Sequence, residues 1–153
     1  MEINYRIATN ADIPALARLR SETWGEADYW IPRITGYLNG THHPQKALAA
    51  RAAFVATDGV KIVGFIAGHL TARLDCEGEL QWIDVTTGYR RKGIASQLAL
   101  VLAAWFDEQG VQKVCVDPGN DIARKFYASL GAENLDQHWM YWKDIIILLN
   151  KDD

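Results

Sequence analysis

The hydrophobic pattern of the chain changes from that of a strand to that of a helix at Gly93, and this change constrains the possible folds most. Residues 80–85 are rich in strand formers, whereas apolar side chains recur at helical spacing from Ile94 until Gly110. The loop between these segments reads TTGYRRKG. A strand that leads through a short glycine-containing loop into an amphipathic helix indicates a layered α/β structure.

The loop before this helix has the chemistry of a phosphate site. N–H groups at a helix N-terminus point outward and carry partial positive charge, so they can bind a diphosphate. Gly93 and Ala95 leave room for the anion, and Arg90, Arg91 and Lys92 add positive charge in a chain whose net charge is -3. Two other phosphate-binding loops are excluded, because the sequence contains neither GxxxxGK[ST] nor GxGxxG.

Two segments of the chain resemble the GNAT acyltransferase superfamily. Arg90, Gly93 and Ala95 match its diphosphate signature, which is Arg or Gln, two residues, Gly, one residue, then Gly or Ala. After a predicted helix and strand comes a segment similar to a second family signature, consisting of Asn120, Ala123, Phe126-Tyr127 and Leu130-Gly131-Ala132. The similarity extends from about residue 53 to residue 142.

The resemblance implies an α/β (α+β) fold. Its central sheet would be mixed but mostly antiparallel, with six to seven strands, about four flanking helices and a splay between the fourth and fifth strands. The residue pattern predicts strands at residues 5–8, 54–57, 61–69, 80–85, 111–116 and 139–148. Asp58-Gly59 favours a hairpin turn between the second and third of them.

Four segments carry helical patterns. Thr9 and Asp12 match a capping box before a helix that ends near residue 23. The next pattern, over residues 24–39, is interrupted by Gly25, Pro32 and Gly36, which leaves its helicity open. Two further helices are predicted at residues 94–110 and in the segment that residue 131 closes.

Acetyl-CoA is the cosubstrate that the resemblance implies. In the family, its pantetheine arm is bonded to the main chain of the fourth strand, which places the arm along residues 83–87. The Val85 amide would then polarise the thioester carbonyl. Asn120 would bond the arm as in relatives, although Asn at this point is equally expected as a helix N-cap. The implied cofactor-binding residues are Ile83, Val85, Arg90, Arg91, Lys92, Gly93, Ile94, Ala95, Ser96 and Asn120.

A proton acceptor is needed because an alkylammonium group, with a pKa near ~10.4, is mostly charged at pH 7. Glu79 is the leading candidate. It occupies the position of the basic Glu in histone-acetylating relatives, and by the period-two rule it shares a side of the strand with Val85. Asp84 on the opposite face, Glu77 in the loop and bound water are alternatives. Glu79 is equally expected as a solvated carboxylate at a strand edge.

Tyr127 is the candidate proton donor to the departing thiolate. Its position in the second signature matches the family's catalytic tyrosine, and a phenol can protonate a thiolate as the carbon–sulfur bond breaks. The same residue lies on the apolar stripe of its helix with Ala123, Phe126 and Leu130, which is typical of a core aromatic. The family match favours catalysis.

The resemblance places the acceptor site at the first helices, the fourth strand and the last strands. Aromatic walls and carboxylates there suit a cationic amine, from Trp24, Tyr29, Trp30, Tyr37, residues 139–142, Glu22, Glu26 and Asp28. The leading hypothesis is acetyl transfer from acetyl-CoA to a primary amine of a small molecule. The alternatives are a protein or peptide amine as acceptor, and a non-catalytic module that only binds acyl-CoA.

Size and charge limit the class of protein. With 153 residues, of which 49% are hydrophobic, the chain is expected to form one domain, residues 1–153. A net charge of -3 provides no basic field for nucleic acid or an anionic membrane. The N-terminus has neither a basic leader nor an apolar segment, so a cytoplasmic location is predicted. A homodimer is compatible with the sequence.

Cysteine and histidine usage predicts neither a disulfide nor a metal site. Cys76 and Cys115 lack CxxC spacing and are expected to be free thiols. His42 and His43 share a proline-containing loop, the other two histidines are isolated, and no HExxH motif occurs.

Overall fold

Seven strands form one sheet in the computed structural model, which describes residues 2–149. The strands are β1 (Ile3–Ile7), β2 (Ala47–Asp58), β3 (Lys61–Thr71), β4 (Gly78–Val85), β5 (Val114–Val116), β6 (Glu133–Asn134) and β7 (Met140–Trp142). Their spatial order is β1-β2-β3-β4-β5-β7-β6, and all neighbours are antiparallel except β4 and β5. The predicted fold class is confirmed.

The described residues form four α-helices around this sheet, namely α1 (Ile13–Ser21), α2 (Ala27–Leu38), α3 (Ile94–Glu108) and α4 (Asp121–Ser129). The interrupted pattern before residue 39 is a helix, and Pro32 lies inside it. Ile34 and Tyr37 are fully buried, so packing holds the last turns of α2 although Pro32 lacks an N–H donor. No helix within residues 2–149 has the length and apolar composition needed to cross a bilayer.

A hydrophobic core lies on each face of the sheet. On one face, Leu16 of α1 packs with Phe65 of β3 and with α2. On the other face, Leu102 and Phe106 of α3 pack with α4 and the C-terminal segment. A Cβ on Gly78 would lie only 2.6 Å from the Phe106 ring. Glycine in β4 therefore lets α3 approach the sheet closely.

The sheet splits between β4 and β5. Their parallel pairing covers only Gly78 to Leu80 on β4 and Val114 to Val116 on β5. β4 continues to Val85 without a partner on that side, while the chain after β5 turns away into α4. The predicted splay opens a cleft between the two strands.

A bulge interrupts β4 close to the point where the split begins. In β3, Ala67 pairs with Trp82 and Gly68 pairs with Leu80, so Gln81 has no partner. One extra residue in a strand reverses the alternation of side chains beyond it. Leu80 accordingly packs on the α3 face and Trp82 on the α1 and α2 face.

This bulge overturns the predicted facing of the β4 carboxylates. Strict alternation put Glu79 on the side of Val85 and Asp84 on the opposite side. With Gln81 inserted, Glu79 and Asp84 share the α1 and α2 face, and Val85 packs against the α3 face. The period-two argument for Glu79 was wrong because it assumed an uninterrupted strand.

The predicted last strand, residues 139–148, is wrong beyond Trp142. Ile145–Leu148 forms a 3₁₀ helix, and the Asp144 carboxylate caps it by accepting the Ile146 N–H at 3.2 Å. Ile145 and Leu148 are buried in the core on the α3 face. The cap and this packing override the strand preference of an isoleucine run.

Candidate active site

The space between β4 and β5 is a cleft of about 900 Å³. Its walls come from β4, the turn after β4, the start of α3, α4 and the loop after α1. All predicted catalytic and cofactor-binding residues line this cleft except Lys92, which is exposed. The residues brought together are Glu79, Ile83, Val85, Arg90, Arg91, Gly93, Ile94, Ala95, Ser96, Asn120 and Tyr127.

The first turn of α3 presents backbone donors to the cleft. The Gln97 N–H bonds to the Gly93 carbonyl at 3.0 Å, so the N–H groups of residues 94–96 have no acceptor within the helix. Gly93 has a φ of 84°. A Cβ at Gly93 would meet no atom within 4 Å, so an anion can approach the backbone. These residues fit a diphosphate group.

Glu22, at the end of α1, holds the turn that precedes α3. Its carboxylate accepts hydrogen bonds from the Thr86 hydroxyl at 2.5 Å and from the Thr87 N–H and hydroxyl at 3.0 Å. The Arg90 Nε donates to the Val85 carbonyl at 2.8 Å, and its Nη2 lies 3.4 Å from Glu22. Glu22 and the Arg90 side chain therefore fasten the turn, and Glu22 is not free to bind an amine.

Arg91 and Lys92 are the remaining cations of this turn. Both are exposed, and neither forms an ion pair within the part of the chain that the structure describes. Arg91 lines the cleft and has a φ of 63°, whereas Lys92 does not line it. The Arg91 charge is thus available to an anion in the cleft.

β4 turns backbone donors towards the open side of the cleft. The Thr86 N–H bonds to the Val63 carbonyl of β3 at 2.9 Å. N–H groups alternate in direction along a strand, so those of Val85 and Ile83 point away from β3. They point to the side of β4 where β5 no longer pairs with it. This arrangement is compatible with the predicted main-chain contacts to a pantetheine arm.

Tyr127 lies where α4 borders the cleft, with 4% of its surface exposed. Its ring packs edge-on against Trp142, with centroids 5.9 Å apart. Burial raises the pKa of Tyr127, the Asp84 carboxylate adds to that increase, and Arg20 opposes it. The phenol therefore carries its proton at neutral pH, as a proton donor must.

Asn120 caps α4. Its Oδ1 accepts a hydrogen bond from the Ala123 N–H at 2.8 Å, which confirms the interpretation as an N-cap. The cap does not use the side-chain NH₂ group, and Asn120 also lines the cleft. A bond from Asn120 to the pantetheine arm stays a prediction.

Glu79 is buried in the cleft wall, with 5% of its surface exposed, so it is not a solvated edge carboxylate. Its Oε1 accepts a hydrogen bond from the Arg73 Nε at 3.0 Å and lies 3.5 Å from the His69 Nε2. The His69 Nδ1 lies 2.9 Å from the Tyr37 hydroxyl. A buried polar chain thus leads from the cleft to α2.

Glu77 does not line the cleft. Its carboxylate accepts hydrogen bonds from the N–H groups of Gln112 at 2.9 Å and Lys113 at 3.1 Å. Glu77 therefore joins the start of β4 to the segment before β5, and we set it aside as a proton acceptor.

Asp84 forms a buried ion pair with Arg20 of α1. The Arg20 Nη1 lies 3.1 Å from the Asp84 Oδ2, and the two side chains are 10% and 9% exposed. The Arg20 guanidinium also lies over three indole rings, at 4.4 Å from Trp30, 5.7 Å from Trp82 and 5.8 Å from Trp24. Burial raises the pKa of Asp84 to about 6, while Arg20 opposes this increase.

Trp24 and Trp139 also border the cleft. Trp24 lies across from the loop after β5, because a Cβ on Gly119 would come within 2.9 Å of its ring. Trp139 lies against Arg73, whose guanidinium is 4.9 Å from the ring centroid. The other predicted acceptor residues outside residues 139–142 do not line the cleft, namely Glu22, Glu26, Asp28, Tyr29, Trp30 and Tyr37.

Sequence reasoning missed Arg20, Arg73 and Trp82, which all line the cleft. Arg20 lies 64 positions from Asp84 in the sequence, and a local sequence pattern cannot predict a pair so far apart. Arg73 follows β3 in a loop where Leu74 and Asp75 both have positive φ, and that conformation has no glycine to mark it.

The two cysteine thiols do not line the cleft. Cys76 and Cys115 are free and buried, as predicted. Within residues 2–149, no group of three or more His, Cys, Asp or Glu side chains is placed to hold a metal ion.

Solved acetyltransferase structures share this fold. The PaiA N-acetyltransferase from Thermoplasma acidophilum in complex with coenzyme A has a TM-score of 0.69 at 18% identity, over 94% of this chain and 99% of that chain. The ribosomal-protein-S18-alanine N-acetyltransferase from Escherichia coli has a TM-score of 0.67 at 18% identity, over 92% and 93%. Aminoglycoside 6'-acetyltransferase type Ii has a TM-score of 0.74 at 20% identity, over 95% and 98%.

Sequence comparison identifies the family directly. A search of curated protein sequences finds no match. The sequence profile described as the Acetyltransferase (GNAT) family matches residues 13–132, which is more than half of the chain. The matched span contains the start of α3, α4 and the whole length of β4. This protein is therefore a member of the GNAT acetyltransferase family.

Proposed function

We propose that this protein transfers the acetyl group of acetyl-CoA directly to a primary amine of a small molecule. The observation that carries the proposal is the first turn of α3, where the N–H groups of residues 94–96 and the open backbone at Gly93 face the cleft. This turn suits the diphosphate of coenzyme A. Family membership and the coenzyme A complex of PaiA support the same cosubstrate.

The reaction needs one group that takes a proton and one that supplies a proton. An alkylammonium acceptor first gives up one proton and becomes a neutral amine. Its nitrogen then bonds to the acetyl carbon and loses a second proton, while the sulfur gains a proton as the carbon–sulfur bond breaks. We assign the second role to Tyr127, whose burial keeps the phenol protonated. The first role falls to a carboxylate of the cleft wall, and both Glu79 and Asp84 are available there.

The two tryptophans that border the cleft favour a small acceptor. Trp24 reaches across to Gly119, and Trp139 lies against Arg73, so an aromatic ring borders the cleft at each of these points. A folded acceptor protein needs an open groove, which these rings would narrow. A peptide amine is the enzymatic alternative, because the ribosomal-protein-S18-alanine N-acetyltransferase shares the fold.

Release of free thiol from acetyl-CoA tests the proposal. The parent protein is assayed with a panel of small primary amines and with short peptides that carry a free N-terminus or lysine. We expect acceptor-dependent thiol with small amines, and a large loss of that rate in Tyr127→Phe. Tyr5→Phe, on the edge strand β1, serves as the matched control. Coenzyme A binding without acceptor-dependent thiol would identify a binding module instead.

A further inference from the structure

Two carboxylates on one face of β4 compete for the role of proton acceptor. Glu79 and Asp84 both line the cleft, and the bulge at Gln81 brings them to the same face. Each is held by one arginine, at 3.0 Å between Arg73 and Glu79 and at 3.1 Å between Arg20 and Asp84. The ion pairs therefore do not decide which of the two carboxylates accepts the proton. The surroundings of the two side chains, however, differ.

Glu79 lies where the sheet is still closed. It is opposite Cys115 in the short parallel pairing of β4 with β5. Its carboxylate faces His69 at 3.5 Å and is close enough to Tyr37 and to both cysteine thiols to affect their ionisation. The charge of Glu79 thus acts mainly on the buried interior next to α2.

Asp84 lies where β4 and β5 have separated. It is four residues beyond Leu80, which is the last residue of β4 that pairs with β5. It precedes Val85, whose N–H points to the open side of the cleft. The Asp84 carboxylate lines the cleft together with Tyr127 and is close enough to raise the pKa of its hydroxyl. Because the proton donor must reach the sulfur and the proton acceptor the nitrogen of one reacting complex, a carboxylate near Tyr127 has the better position.

We propose that Asp84 accepts the proton of the acceptor ammonium, and that Arg20 is a positioning residue that holds the Asp84 carboxylate in the cleft wall. The inference rests on the proposed function. Asp84 takes one proton from the ammonium before attack, which frees the lone pair of the nitrogen. As the nitrogen bonds to the acetyl carbon and the carbon–sulfur bond breaks, Tyr127 protonates the departing sulfur. The second N–H proton restores the Tyr127 phenol, and Asp84 releases its proton to solvent. Arg20 can fix the carboxylate because Trp30 and Trp82 hold its guanidinium in turn.

The charged groups around Asp84 agree with this role. Arg20 of α1 and Arg90 of the turn favour the carboxylate, Glu22 at the end of α1 disfavours it, and Tyr127 faces it from α4. Burial outweighs the arginines and raises the pKa of Asp84 to about 6. At pH 7 the group is therefore mostly ionised, yet basic enough to take a proton.

Two amines of different basicity test the assignment. One is the best alkylamine of the panel, which is charged at pH 7, and the other is 2,2,2-trifluoroethylamine, which its fluorine atoms keep uncharged. Asp84→Asn is expected to lower kcat/KM for the alkylamine by about 100-fold and for trifluoroethylamine by much less. Glu79→Gln, which also removes one carboxylate from the same face, is expected to lower both by the same factor.

The pH profile of kcat reports on Arg20. The parent should gain activity as pH rises through about 6, and Asp84→Asn should lose this limb of the profile. Arg20→Lys keeps the charge but not the fork of donors. It should therefore shift the pH at which kcat rises, while the affinity for coenzyme A stays unchanged. Arg20→Gln combined with Asp84→Asn removes both buried charges together and should repeat the selective loss in a folded protein.

Each contrary result has a distinct meaning. Selective loss of alkylamine activity in Glu79→Gln but not in Asp84→Asn would overturn the assignment and leave the proposed function standing. So would an Asp84→Asn variant that matches the parent on both amines. A parent protein that binds coenzyme A but releases no thiol with any amine would overturn the proposed function, and the role of Asp84 with it.

Discussion

The ion pair between Arg20 and Asp84 joins α1 to the cleft wall through two side chains that are each about one tenth exposed. Loss of one partner leaves the other charge buried and unpaired. Arg20→Ala should therefore lower the free energy of unfolding by on the order of 3 kcal/mol. Urea denaturation at pH 7 measures this, and Arg18→Ala, on the exposed side of α1, is the matched control. Equal stability of the two variants would contradict a buried pair.

The same pair makes stability depend on pH in a defined direction. The pKa of Asp84 is raised in the folded protein to about 6, above the ordinary 3.8. A carboxyl group of this kind binds its proton more tightly when folded, so its contribution to stability falls as pH rises from about 4 to about 6. Compared with Asp84→Asn, the parent should lose stability over this range. Parallel stability curves for the two proteins would contradict the raised pKa.

Tyr127→Phe should lower kcat by at least about 100-fold, because the phenol proton is no longer available to the departing sulfur. The ring remains packed against Trp142, so coenzyme A affinity and thermal stability should change little. Stopped-time thiol assays and calorimetry measure the two quantities. An unchanged kcat would show that Tyr127 is only a core aromatic.

Gly78→Ala tests how closely α3 packs on the sheet. The new methyl group would lie 2.6 Å from the Phe106 ring, which is 1% exposed and cannot move into solvent. Overpacking of this kind costs about 1–3 kcal/mol, to be measured by thermal or urea unfolding. Phe106→Leu should recover part of the loss when combined with Gly78→Ala. Additive losses in the double variant would mean that the two residues do not collide.

The parts of the site that depend on local chemistry could be predicted from the sequence. A glycine followed at once by an amphipathic helix is enough to locate the donors around Gly93, because the N–H groups of a first helical turn are always free. The cap at Asn120 follows from the same local reasoning.

The parts that depend on distant residues could not be predicted. The bulge at Gln81 is a property of its pairing with β3, and it alone moves Glu79 to the face of Asp84. The position of Arg20 beside Asp84 requires α1 to be docked on the sheet first. Likewise, burial of Ile145 in the core favours a 3₁₀ helix in the C-terminal segment, although its residues have strand propensity.

The affinity of Gly93→Asp for coenzyme A tests the central claim most directly. Gly110→Asp, at the other end of α3, is the matched control, since both glycines have positive φ and open space around the Cβ position. If the diphosphate binds at the first turn of α3, calorimetry should show affinity reduced about tenfold or more in Gly93→Asp and unchanged in Gly110→Asp. Equal affinities in the parent and in Gly93→Asp would contradict the account.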